Sequence, residues 1–347
     1  MKTMPILMAV AAMLSFASCS EDEPVDTNRG RAIDFRPVMG GRSRGAETTN
    51  ANLSSMNVTA FMGDSEFFPD MEFSRSSDGF FKSAQEYYWP GDDSELTFYA
   101  YAPSVPGGKV TIDNTAKEMT DFSPAAEIAN QVDFITATAT GKKSTNEENG
   151  VELTFNHRLV QIEVCAKTGN ELYNFEVSGV RIGQPVSVAS FDFGTLGWTL
   201  GSDKAIYEET YTTPKTITAT ATSIMGDGGN AMLIPQQLTA WDPKGDAANT
   251  AKGAYLSVKL KITTAATGVQ VYPFPSDGDC DWAAIPIDTD WQAGNKYIYT
   301  LDFTHGAGNV DPNDPKPGTP VLGDDIKFNV KVVPWNATSQ DVSMETE

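Results

Sequence analysis

The chain has 347 residues, 40% of them hydrophobic, which is enough apolar material for one large or two ordinary domains. Its 46 Asp and Glu against 25 Lys and Arg leave a net charge of -21, so phosphate backbones and anionic lipid faces repel it and nucleic acid drops out as a partner. With only 2 His and 3 Cys it offers no ligand set at zinc spacing and no histidine beside a convincing nucleophile, so the chain reads as a non-enzyme for which no metal and no cofactor is expected.

Met1-Lys2-Thr3 carries one positive charge and leads into an almost wholly apolar run, Met4 to Phe16. A membrane-spanning helix needs about 20 apolar residues, so this shorter run reads as the core of a signal peptide. It closes on Ala17 and Ser18 directly before Cys19, and Phe16-Ala17-Ser18-Cys19 resembles a lipobox with Phe16 in place of the usual Leu. Residues 1–18 are therefore expected to be a lipoprotein signal peptide, with Cys19 acylated (palmitate) and the membrane reached only through that anchor. Ser20-Glu21-Asp22-Glu23 resembles the export signal that sends Bacteroidetes lipoproteins to the outer leaflet, and residues 19–30 read as an acidic tether.

Beyond the tether the pattern is the short alternating strand, rich in Thr, Val, Tyr and Phe and bounded by Gly, Pro, Asn and Asp. The first half predicts strands over Ala32 to Arg36, Met56 to Met62, Leu96 to Ala102, Lys109 to Asp113, Asp133 to Ala139 and Val151 to Lys167. The second half predicts Asn174 to Ile182, Ala189 to Phe193, Lys215 to Thr222, Ala231 to Pro235, Ala254 to Thr263, Lys296 to Phe303 and Ile326 to Val333. The fold class is all-β, and strands at this spacing argue for sandwiches rather than a barrel. Leu153, Phe155 and Leu159 are apolar at odd positions but Val160, Ile162 and Val164 at even ones, so a bulge or a crossing between sheets is expected near Arg158. Lys167-Thr168-Gly169-Asn170 is turn chemistry, which sets the expected division at residues 31–168 and 169–347.

Few residues suggest chemistry. His157 sits in an alternating strand as a core or rim histidine, and His305 precedes Gly306 in a loop. Asp277-Gly278-Asp279-Cys280-Asp281 and Asp311-Pro312-Asn313-Asp314 offer oxygen ligands for Ca²⁺ but lack the twelve-residue loop pattern and its closing Glu. Carboxylates are abundant, yet nothing singles out a hydrolytic pair. Tyr87-Tyr88-Trp89-Pro90 and Phe98-Tyr99-Ala100-Tyr101 either stack sugar rings or anchor a core. Cys165 and Cys280 are free to pair in an oxidising compartment, though the sequence does not decide it.

Several of these segments together carry a family resemblance. Tyr87-Tyr88-Trp89-Pro90, Leu96 to Pro103, Asp133-Phe134-Ile135, Leu153 to Leu159, Trp291 to Tyr299 and the closing Phe328 to Trp335, in that order behind a lipobox, resemble the Bacteroidetes fimbrillin family, the subunits of type V pili. The resemblance implies two transthyretin-like β-sandwich domains in tandem. It also implies an assembly route in which a trypsin-like protease cuts after an arginine near the first strand, that strand leaves, and a strand from another subunit fills the groove. On this chain the removable strand would contain Ile33 and Phe35, and the Gly-rich segment Val38 to Gly45 supplies Arg44, and next to it Arg42, as the processing site. Val330 to Val333 and Asp341 to Met344 are the donor candidates.

The expected function is thus a fimbrial or accessory subunit supporting adhesion, assembled with other fimbrial subunits, engaging a host or bacterial surface receptor, and placed first in the outer membrane and then in the fimbrium. The alternatives are a glycan-binding surface lipoprotein of a nutrient-uptake system and, further off, a carboxylate-dependent hydrolase.

Overall fold

A computed structural model describes residues 30–39, 49, 51–244, 253–274, 279–314 and 316–335. In chain order the strands of the first half are β1 (Phe35–Met39), β2 (Ser55–Met62), β3 (Ser65–Arg75), β4 (Phe81–Ser83), β5 (Leu96–Ala102), β6 (Lys109–Ile112), β7 (Lys117–Phe122), β8 (Ile135–Gly141) and β9 (Val151–His157). The second half adds β10 (Val160–Lys167), β11 (Tyr173–Val186), β12 (Ala189–Asp192), β13 (Gly197–Leu200), β14 (Lys204–Thr216), β15 (Thr222–Ser223), β16 (Ala231–Leu233), β17 (Gln236–Gln237) and β18 (Tyr255–Thr264). It closes with β19 (Gln270–Tyr272), β20 (Asp281–Pro286), β21 (Asp290–Trp291), β22 (Asn295–Asp302), β23 (Asn309–Val310) and β24 (Lys327–Pro334). The all-β expectation holds, and no helix among the described residues is long and apolar enough to cross a membrane.

The first-half strands close on themselves in the order β1-β4-β3-β2-β5-β8-β9. This corrects the expectation of an open sandwich there, because β1 bridges β4 and β9 and leaves no free edge between them. Alternation drives the closure: Leu96, Phe98 and Ala100 of β5 and Val151, Leu153 and Phe155 of β9 turn inward to a core shared with Met56, Val58, Phe68 and Phe73.

The phase change at Arg158 is a crossing between sheets. Odd-numbered Leu153 and Phe155 face the ring core, whereas even-numbered Val160, Ile162 and Val164 of β10 face a second core. Around that core one sheet runs β15-β10-β22-β24, with β16 beside β10, and the other runs β14-β11-β18-β20-β23, with β19 beside β18. β10 and β22 pair in parallel, and β24 runs antiparallel along β22 from Lys327↔Asp302 to Pro334↔Asn295.

A third sheet, β13-β12-β7-β6, joins strands from both sides of residue 168 through Ala189↔Phe122 and Phe191↔Met119. Behind it lies a third core of Phe61, Phe122, Phe134, Leu159, Phe191 and Trp335, among others. Phe134 is fully buried there, edge-on to Phe191 at 5.3 Å and to Phe193 at 6.2 Å. Trp335 stacks on His157 with centroids 4.6 Å apart and planes 5° apart. Truncating Phe134 to Ala removes an aromatic group on which both halves pack. It is expected to lower stability by about 3 to 5 kcal/mol, read as a drop in the urea midpoint without a change of slope.

Candidate functional site

The sequence singles out the first strand, and the structure shows how it is seated. Ala32 bridges Tyr88, and the Ile33 N–H donates to the Tyr87 carbonyl at 2.7 Å. Phe35 then pairs once with Phe81 of β4, and the strand runs parallel to β9 from Phe35↔Val151 to Met39↔Phe155. Past Phe35, β1 is therefore laddered on the β9 side alone among the described residues. Pro37, which has no N–H to give, falls in that one-sided stretch. Ile33, Phe35, Pro37 and Met39 point inward, while Arg36 and Val38 face solvent.

Phe35 is the plug of the ring. It is 0% exposed and lies edge-on to Phe73 at 4.8 Å and to Phe98 at 5.1 Å. Such perpendicular contacts set the positive ring edge against the negative face. Taking Phe35 out would leave Phe73, Phe98, Leu153 and Phe155 lining an open apolar trough. The ladder sits three residues later than the predicted Ala32 to Arg36, because β9 pairs only from Phe35 onward.

Asp34 does not follow alternation, which would turn it outward. It is 4% exposed, held under the turn before β9. Arg31 donates to Asp34 Oδ2 at 3.3 Å and to the Glu148 carbonyl at 2.9 Å, and the Asp34 carbonyl accepts from the Val151 N–H at 2.9 Å. Gly150, at a φ of +68°, makes room for the carboxyl: a Cβ there would stand 2.7 Å from Asp34 Oδ1. Oδ1 itself is buried without a hydrogen-bond partner. Burial raises the acid's pKa, and Arg31 and Lys82 offset that only in part. Local alternation hides this residue; the one sequence signal for it is the Arg31–Asp34 spacing beside an apolar pair.

The remaining candidates take structural roles or lie outside the described residues. Cys19, Arg42 and Arg44 belong to the latter group. His157 Nδ1 lies 2.9 and 3.0 Å from the carboxylate oxygens of the buried Asp133, so it is a core histidine, and His305 is exposed in its loop. Cys165 and Cys280 are unpaired thiols, and burial, with Glu163 nearby, pushes Cys165 up to about 12. Trp89, Phe98 and Tyr101 are buried, which removes them as sugar platforms. No cluster of His, Cys, Asp or Glu that could hold a metal occurs among the described residues. Asp311, offered above as a calcium ligand, is committed to Arg181 at 3.0 Å, to Ser257 and to Asn313. Asp314 beside it is pushed up to about 6 by burial and by Asp281 and Asp311.

Two substitutions in the first strand are expected to act oppositely. Phe35→Ala should destabilise the ring by about 3 to 5 kcal/mol through the cavity it leaves. Asp34→Asn should stabilise by about 1 kcal/mol at pH 7, since it removes a buried charge that Arg31 and Lys82 offset only in part, while the amide still leaves one buried polar atom unpaired. The sign follows from linkage: an acid raised in the folded state costs stability once the unfolded chain has ionised it. The gain should therefore vanish below about pH 4, where Asp34 is protonated in both states. Asp314 predicts the same loss between its ordinary 3.8 and about 6. Thermal melts of wild type and Asp34→Asn from pH 3 to 8 check this.

Comparison with known proteins agrees with this architecture. The chain is 29% identical over 189 residues to Fimbrium subunit Fim1C of Phocaeicola vulgatus, an alignment covering 45% of this chain. The chain spans about half of that relative's length, 49%. A crystal structure of a fimbrial protein from Bacteroides vulgatus ATCC 8482 shares the fold, with a TM-score of 0.59 at 16% identity over 88% of this chain and 100% of that one. The model of the fimbrillin-like family matches residues 44–335, and on that extent the chain belongs to the fimbrillin-like family.

Proposed function

We propose that this chain is a subunit of a cell-surface fimbrium, exported as a lipoprotein through Cys19 and assembled by strand exchange after proteolysis at Arg44 or Arg42. The observation that carries the reading is the seat of β1. It is the first described strand, laddered mainly to one neighbour, plugged by Phe35, and followed within a few residues by the two arginines. Cutting there severs β1 from β2, so only noncovalent contacts hold it in the ring. If it leaves, β9 and β4 expose unpaired backbone groups around an apolar trough, which is the condition under which a foreign strand adds to a sheet.

A donor with the same alternation exists in the chain. β24 presents Phe328, Val330, Val332 and Pro334 on one face, matching the inward Ile33, Phe35, Pro37 and Met39 of β1. On this reading β24 is the donor, the other candidate, Asp341 to Met344, lying outside the described residues, and the partners are other fimbrial subunits, a trypsin-like protease and a surface receptor. Residues 31–168 and 169–347 act as the accepting and the donating unit. The chain starts in the outer membrane on its lipid and enters the fimbrium once the cut frees it from residue 19. The glycan-binding alternative loses support because Trp89, Phe98 and Tyr101 are buried.

Treating the purified chain with a trypsin-like protease should cut after Arg44 or Arg42 and yield multimers that survive SDS without boiling. An Arg42→Ala/Arg44→Ala variant should stay intact and monomeric. A chain that is cut there, loses residues 31–39, and still remains monomeric at high concentration with its complementary subunits present would sink the proposal.

A further inference from the structure

One edge of the third sheet is open and unguarded. Among the described residues β13 pairs with β12 alone and ends the sheet β13-β12-β7-β6. Its sequence, Gly197-Trp198-Thr199-Leu200, holds no proline and no charge. The longer edge strands elsewhere carry the usual protection against strand addition: Pro214 and Lys215 in β14, Lys109 in β6, and Pro334, Lys327 and Lys331 in β24.

The edge offers both backbone groups and apolar side chains. The Gly201 N–H donates to the Val188 carbonyl at 2.9 Å, so Thr199 and Gly201 turn their backbone groups toward β12. Those of Trp198 and Leu200 then point away from it. Opposed residues of an antiparallel pair share a face, which puts Trp198 beside Phe191 and Leu200 beside Ala189 on the side of the third core. Phe191 and Ala189 are buried, whereas Trp198 is half-buried and Leu200 is 41% exposed. Leu196, in the turn between β12 and β13, is also 41% exposed and has a φ of +59°, a left-handed conformation that costs leucine more than glycine or asparagine. Apolar groups thus meet water along a free edge.

The other face of the same edge is acidic. Glu118 of β7 stands directly opposite Asp192 of β12, and Asp192 opposite Gly197 of β13. Both acids are exposed, and like charges so placed repel. Neither forms an ion pair with a described residue, and Lys117, next to Glu118 in the chain, is turned over the Phe61 and Tyr99 rings. Gly197 has no side chain, so a residue added opposite it faces Asp192 across two strand spacings, about 10 Å, which a lysine and an aspartate together can span.

We infer that the edge of β13 is a docking site for an extended segment of another protein that alternates apolar and basic residues. The apolar side chains of that segment cover Trp198 and Leu200 and extend the third core. Its backbone satisfies the outward groups of those two residues, and a lysine or arginine opposite Gly197 neutralises the Glu118 and Asp192 pair. The net charge of -21 disfavours a second copy of the chain as the occupant. The site involves neither β1 nor the arginines after it, so it stands or falls apart from the proteolytic assembly proposed above.

A short capped peptide alternating valine and lysine tests it on the full, uncut chain by amide hydrogen exchange. The amides of Trp198 and Leu200 should slow at least about tenfold at saturating peptide. Those of Thr199 and Gly201, which face β12, should stay protected throughout and report an intact sheet. Glu118→Gln/Asp192→Asn should weaken binding about fivefold. Leu200→Pro, which removes an outward N–H, should abolish it. No slowing of the two outward amides overturns the inference. Equal slowing by a peptide alternating valine and glutamate overturns it as well, and so does slowing that appears without peptide as the chain is concentrated, since a second copy would then be the occupant.

Discussion

Every strand in this molecule must find two neighbours or face water, and that requirement decides the shape of the first half. β4 is only Phe81–Ser83 and cannot reach β9, so the ring would gape between them. β1 fills the gap with a single pair to β4 at Phe81 and a longer parallel ladder to β9. A ring closed so narrowly is held at that point mainly by side chains, and Phe35 against Phe73 and Phe98 supplies the largest of them. The core of the first half and the hydrogen bonds at its seam thus depend on one residue of one short strand.

The same seam carries an opposing contribution. Asp34 adjoins Phe35 in the chain and buries a carboxyl whose Oδ1 meets no donor. Burial of Phe35 favours the seated strand and burial of Asp34 disfavours it, with the aromatic plug the larger effect by the magnitudes used above. Around this locally balanced element the rest is firmly tied. The sheet β13-β12-β7-β6 stitches the two halves together, and the stacked Trp335 and His157 bring the end of β24 into the same core as Phe134 and Leu159. The contacts that join the halves therefore do not depend on β1 staying in its seam.

Much of this was legible in the residues. The pattern over Leu96 to Ala102 gives β5 with its observed bounds, and the change of phase at Arg158 locates the passage from one sheet to another. Period-2 alternation is local and strong in both places. β3 escaped because its pairing with β2 shifts register at Val58/Ala60 and Ala60/Phe61, which breaks the alternation that marks a strand. The closed ring and the burial of Asp34 were also hidden. Both depend on β9 lying beside β1, and no window of sequence contains the two. Cys19, Arg42 and Arg44 are legible as chemistry, a small-residue run before a thiol and arginines among glycines, while their surroundings lie outside the described residues.

The parallel pairing of β1 with β9 has a temporal meaning. Phe35 meets Val151 across a separation of 116 residues, and no tight hairpin can join two strands that run the same way. Contacts so distant in sequence form late, after the cost of closing the intervening loop has been met. β1 leaves the ribosome before any other described strand, yet its berth does not exist until β9 has been made. Made first among the strands of the ring, it can be seated only after the last of them, so the ring cannot close before β9 is complete.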